Sequence, residues 1–156
     1  MPDNYDLMQN PALGCCCIGQ FVRSYFNVNE CGPTLPLLIS VLPITFHERT
    51  VEILHRRSLQ GGLLNAKAEF KDLGVGLQER MEQMFDQSMS SIAFGIYLGV
   101  FELDPSTCLV SPTIKKLPSD KFPPATRKML WTADRLGRWM GVGPLEMVCS
   151  HLKIVF

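Results

Sequence analysis

The sequence has little of what builds a reaction centre. No two of its six cysteines, Cys15, Cys16, Cys17, Cys31, Cys108 and Cys149, show the two-residue gap that lets a loop wrap a tetrahedral ion. Neighbouring cysteines on a helix point about 100° apart, so the Cys15–Cys17 run does not converge on a metal either. HExxH, GxSxG, a phosphate-cradling glycine loop and an acidic metal triad are all missing. Of the three histidines, His47, His55 and His151, only His47 has a carboxylate beside it, in Glu48. Adjacent side chains usually point apart, so a small hydrolase built on that pair is a minor reading. His47 is expected to hydrogen-bond local backbone where an apolar run turns into a helix. The expectation is a non-enzyme with no catalytic residue, no bound metal and no cofactor.

Long apolar runs are lacking too. The longest, Leu35 to Phe46, is too short and too interrupted by Pro36 and Pro43 to span a bilayer. The opening Met1-Pro2-Asp3-Asn4-Tyr5-Asp6 has neither the basic nor the apolar region of a secretory signal. A cytoplasmic protein that does not meet a membrane is expected, its cysteines serving as small buried hydrophobes in a reducing compartment. Net charge is lacking as well, with 15 basic and 15 acidic residues. The signs are separated, however. Residues 1–110 carry seven basic and twelve acidic side chains, and residues 111–156 carry eight and three. The C-terminal third therefore has a modest positive field, suited to phosphates or to an acidic protein surface.

What is present reads as a globular chain: 156 residues, 46% hydrophobic and 19% charged. One domain over 1–156 is expected, with 1–9 as a flexible N-terminal segment. Asn10-Pro11 opens a helix over 11–27 that is apolar around most of its circumference. Thr34 caps a second helix running to Leu42, which Pro43 stops or kinks. A short amphipathic helix follows over 48–57, with Val51, Leu54 and His55 on one side. Next come a loop over Ser58–Gly62 and a short helix over 63–70. Leu73, Leu77, Met81, Met84 and Phe85 share a face of a helix over 72–87. Met89, Ile92, Ala93, Ile96, Tyr97 and Val100 share one over 89–100. Phe101 to Val110, turning at Asp104-Pro105-Ser106-Thr107, has the pattern of a β-hairpin. A basic connector over Ser111–Pro124 leads to a last long helix over 125–140, then a short helix and an apolar tail. The fold class expected is mainly α (α+β): a compact helical domain with a winged-helix-like helix–helix–β-hairpin unit.

Two surfaces bear on function. The helix before the hairpin and its first strand hold no Lys or Arg from Gln87 to Asp104, and Glu102 and Asp104 would repel a phosphate backbone. That element suits protein, not DNA. On the last helix Met129, Leu130, Ala133, Leu136 and Met140 supply a core face. Arg127, Trp131, Arg135 and Arg138 recur at spacings of four, four and three and form another face, rich in the residue types that dominate interfaces. The plain alternative is a solvated basic face with Trp131 tucked against the core. Lys115, Lys116 and Lys128 are the weaker candidates, for phosphate contact.

Several segments together resemble the middle-component family of bacterial three-component ABC systems. They are the Asn10-Pro11-Ala12-Leu13 opening into a helix that reaches Phe21-Val22-Arg23-Ser24-Tyr25, and the Leu35-Pro36 to Leu42-Pro43 stretch leading to His47. The helix–hairpin region around Phe94-Gly95 and Val100, and Leu136-Gly137-Arg138-Trp139, complete the set. The resemblance covers roughly residues 8–150 and implies a non-catalytic adaptor. Its implied partners are an ABC-type ATPase of the SMC/Rad50-like kind and a separate effector, within a system associated with anti-phage defence, and DNA would be met through the complex. The rival reading is a winged-helix nucleic-acid-binding protein using the basic C-terminal third. The Met- and Cys-rich faces would serve a homo-oligomer as well as a buried core.

Overall fold

The structure is a computed structural model that describes residues 9–56, 73–113, 117 and 119–156. The expected loop over 58–62, the helix over 63–70, the segment 1–8, Lys115 and Lys116 lie outside the described residues. Helix α1 spans Pro11–Asn29. Asn10 caps it by accepting the Ala12 N–H at 2.9 Å, satisfying one of the donors a helix start leaves open. It ends at Glu30, which turns left-handed (φ 61°) and returns its N–H to the Phe26 carbonyl. Cys15, Cys17, Ile18, Phe21, Val22 and Tyr25 are all buried, as expected of a helix enclosed on several sides. Burial foremost, then the neighbouring Cys16, pushes the Cys15 thiol up to about 11, and burial pushes Cys17 higher still. Both stay protonated and behave as apolar groups. Cys31 and Cys108 are exposed, contrary to expectation.

The expected Thr34–Leu42 helix is broken into α2 (Leu35–Leu38) and α3 (Val41–Thr45). Pro43 sits inside α3, so it does not stop the chain where it stands. It lacks the N–H that would bond the Ile39 carbonyl, and its ring crowds that group, so the interruption falls four residues upstream, at Ile39–Ser40. Helix α4 (Glu48–Arg56) buries Val51 and Leu54, while His55 is exposed. The helix expected over 72–87 is also divided. Gly76 turns left-handed (φ 68°), a conformation glycine adopts without steric cost, and α5 then spans Leu77–Gln83. Helix α6 starts at Phe85 and runs to Tyr97. Leu73, Leu77 and Met81 are buried as expected, but Phe85 is the first residue of the next helix and is exposed.

The hairpin forms where the pattern changes from helical to alternating. Strand β1 (Phe101–Leu103) pairs antiparallel with β2 (Val110–Pro112), Leu103 opposite Val110. Asp104 organises the turn, accepting from the Ser106 N–H, the Ser106 hydroxyl and the Thr107 hydroxyl at 2.6–2.9 Å. Those bonds hold its carboxyl below the usual range. The hairpin is also stitched to the α1–α2 connector. Thr34 bridges Leu109, Leu35 N–H reaches the Cys108 carbonyl, and Val110 N–H reaches the Pro33 carbonyl. A short 3-10 helix (Ser119–Lys121) precedes α7 (Pro124–Met140), and α8 (Leu145–Leu152) follows. The chain ends with Val155 donating its N–H to Gln78 on α5.

Helix α1 is the spine, with α7 and α6 packed on it, and the buried apolar residues form one contiguous cluster. Glycines set both distances. A Cβ at Gly137 would lie 2.5 Å from the Phe21 carbonyl oxygen and 2.9 Å from the Tyr25 nitrogen, so α7 rests backbone to backbone on α1. At Gly14 a Cβ would come 2.8 Å from the Ser91 Cβ of α6, and at Gly95 it would enter the Phe101 ring. On a free helix, Gly→Ala gains about 1 kcal/mol. For Gly137→Ala the obstructing atoms are main chain and cannot yield, so overpacking wins, and a net loss of about 1–3 kcal/mol is expected in urea unfolding.

Candidate functional site

Helix α7 presents the expected core face, Leu130, Ala133, Leu136 and Met140, to the interior, with Met129 partly buried. Thr132 and Trp139 are buried beside them. The four residues expected to form one outward face are divided by the structure. Arg127 and Arg138 are exposed, as is Lys128. Trp131 is half-buried, at the edge of the core.

Arg135 turns inward. Its guanidinium carbon lies 3.9 Å from the centre of the Trp131 ring and 5.9 Å from that of Trp139. One of its nitrogens donates to the Leu54 carbonyl at 3.1 Å. Leu54 lies in the C-terminal part of α4, so the cation meets a main-chain acceptor on the side of the negative end of the helix dipole. His55 of the same turn packs edge-on against Trp131, with ring centroids 4.8 Å apart. Arg135 therefore clamps α4 to α7. Partial burial foremost, with Arg138 adding to it, draws its pKa below the usual arginine range; at neutral pH it remains charged.

Asp134 is the residue the sequence reading missed. One carboxylate oxygen accepts from Gln20 at 2.8 Å and from the Ser24 hydroxyl, both on α1, and the other meets Arg138 at 2.8 Å. Its one legible signal was the four-residue spacing Asp134–Arg138, with the acid on the N-terminal side. The carboxylate is largely shielded, and it holds one edge of the guanidinium of Arg138, a side chain that stays 64% exposed. Around this post lies a groove of about 340 Å³ lined by Gln20, Arg23, Arg127, Trp131, Asp134 and Arg138, among others. Three guanidiniums and one indole edge surround one neutralised acid, an arrangement that receives carboxylates or phosphates presented next to apolar surface.

A second depression, of about 330 Å³, is lined by His47, Arg49, Thr50, Ile53, Val75, Gly76 and Arg80. His47 heads α4, its carbonyl accepting the Val51 N–H. Its Nδ1 meets the Thr50 hydroxyl at 2.6 Å, so its partner is a side chain and not the backbone expected. Burial first, then Arg80 and Arg49, lower its pKa below 6.5. Arg80 is spent on structure, donating to the Pro43 and Val75 carbonyls. Among the described residues, no three His, Cys, Asp or Glu side chains stand where they would hold a metal ion. None of the described helices is long and apolar enough to cross a membrane.

Comparison with known proteins gives one match. The family model described as ABC-three component (ABC-3C) system Middle Component 3 covers residues 1–156. No curated protein and no solved structure matches the chain.

Two measurements check this geometry. Arg135→Ala removes a cation–π contact and a helix-end hydrogen bond, and is expected to lower stability by about 1–2 kcal/mol in chemical denaturation and to shift Trp131 emission. His47 titrates lower in the fold than in the unfolded chain, so on acidification the unfolded state binds its proton first. Stability present above pH 6.5 is therefore lost in the window beneath it, and the difference between wild type and His47→Gln in melting temperature against pH isolates this loss.

Proposed function

The chain belongs to the Middle Component 3 family of ABC-three component systems, and from that premise we propose that it is a non-catalytic adaptor, bridging the ATPase and the effector of its system. The observation that carries the reading is the groove beside α7. Arg127 and Arg138 stand at its surface, Arg138 anchored by Asp134 and Trp131 braced by Arg135 and His55. A cation held along one edge loses less freedom when a partner docks than a free-swinging one does. A half-buried indole beside it supplies the apolar area that an isolated charge lacks. The partner surface that fits is acidic, with an apolar residue to cover Trp131. An SMC/Rad50-like ATPase and a role in anti-phage defence follow from the family resemblance.

Arg135 is a poor probe of this surface, because its loss loosens α4 from α7. The pair Arg127→Glu with Arg138→Glu is the suitable one. Arg138→Glu leaves the largely shielded Asp134 without its cation and beside a second carboxylate, so some loss of melting temperature is expected, and Arg127→Glu with Arg138→Gln is the control that removes the rim charge without that repulsion. On co-expression with the ATPase and the effector, affinity for one of them is expected to fall about tenfold or more. Retention of both at wild-type affinity would exclude this face. A mobility shift of nucleic acid by the free protein, lost steeply with salt, would instead assign the groove to a phosphate backbone.

A further inference from the structure

Helix α6 is turned against its own amphipathicity. The side it presses on the core consists of Ser88, Ser91, Ile92 and Gly95. The buried hydroxyls of Ser88 and Ser91 find no hydrogen-bond partner among the described residues, an arrangement that costs free energy. The side left to water holds Phe85 (46% exposed), Ile96 (38%) and Tyr97 (85%), with exposed Ala93 between them and half-buried Met89 alongside. Met89, Ala93, Ile96 and Tyr97 are among the residues whose spacing placed them on one side of this helix; Ile92 of the same set is buried. Packing explains why the helix does not roll over: Gly14 needs a small residue opposite, and the Phe101 ring occupies the space where a side chain at Gly95 would go. Among the described residues nothing explains why the outward side is apolar.

In the stretch of chain that carries that side, the charges have one sign. No Lys, Arg or His occurs from Met81 through Ile114. Glu82, Asp86, Glu102 and Asp104 in the same stretch are all exposed. Asp86 falls on the outward face itself, in register with Ser90, Ala93 and Tyr97 at spacings of four, three and four. A two-fold pairing of this face with its own copy would bring two sets of these acidic side chains together with no basic residue of the same stretch to offset them, and is disfavoured by like charge. The small Ser90 and Ala93 between the larger Phe85 and Tyr97 form a shallow saddle of the kind that receives a crossing helix.

We propose that the outward face of α6 is a second docking surface, and that its occupant is an amphipathic helix of a partner subunit whose apolar stripe is flanked by lysine or arginine. This rests on the reading of the chain as a bridging subunit and gives it the second surface that a bridge requires. The two surfaces lie on helices packed against different parts of α1 and carry opposite charge.

The test uses the full chain co-expressed with the ATPase and the effector. Ala93→Glu with Tyr97→Glu alters two solvent-facing positions, and unchanged melting confirms the fold. The expected result is loss of one component by about tenfold or more in affinity, with the other, the one lost in Arg127→Glu with Arg138→Glu, retained. Asp86→Lys should weaken the same component, and a photoreactive phenylalanine at position 97 should cross-link to a peptide with a Lys- or Arg-flanked apolar helix. Retention of both components, loss of both, cross-linking to a segment without basic residues, or cross-linking to a second copy of the chain would each overturn the proposal. Failure of the wild-type chain to hold either component would overturn the bridging reading, while the cross-linked peptide still reports on this face.

Discussion

The rest of the structure depends on how closely α1 is approached by its neighbours. Gly137 admits the backbone of α7 to within contact of the Phe21 and Tyr25 main chain, and Gly14 admits α6 at Ser91. At that separation a short polar side chain on α1 reaches across, which is why Gln20 and Ser24 both find Asp134. The carboxylate in turn holds Arg138 at the rim of the groove. The same closeness keeps the positions opposite Gly14 and against the Phe101 ring small, as Ser91 and Gly95, so Ile92 is the one large apolar residue of α6 that is fully buried and Phe85, Ile96 and Tyr97 stay outside. One packing constraint thus generates both the anchored cation on one flank and the bare hydrophobic stripe on the other.

Much of this was legible in the sequence, and the failures have specific causes. The Asn10 cap, the enclosed α1, the hairpin after Val100 and the inner face of α7 all follow from local pattern, and the structure contains them. Leu73, Leu77 and Met81 were read onto one buried face correctly, but Phe85 was not, because the bend at Met84 separates two helices whose periodicities join without a visible seam. Pro43 was recognised as a disruptor, yet its effect was placed at the residue and not at the carbonyl four positions earlier. The apolar side of α6 was legible, but not its direction, because periodicity reports where apolar residues cluster, not which side the tertiary neighbours leave room for. Arg135 looks like Arg138 on a helical wheel; only the position of Leu54 on α4, far away in sequence, distinguishes strut from surface. Asp134 was overlooked because its partners Gln20 and Ser24 come from the other end of the chain.

The neutral overall charge conceals a division along the chain. Residues before 111 are acidic on balance and those after are basic. The fold does not keep the two halves apart everywhere: Arg23 of α1 joins Arg127 and Arg138 of α7 around one groove, so that local field is built from both ends of the chain.

The stitch between the hairpin and the α1–α2 connector has a mechanical meaning. Its backbone bonds at Pro33, Leu35 and Val110, with the Thr34–Leu109 bridge, join the hairpin to the residues on which α1 ends. A tug on the turn is carried as tension along the ladder into the foot of the central helix and is not absorbed by a swinging arm. The turn, the ladder and the end of α1 therefore form one continuous backbone-bonded unit, and displacement of the turn is resisted where α1 ends.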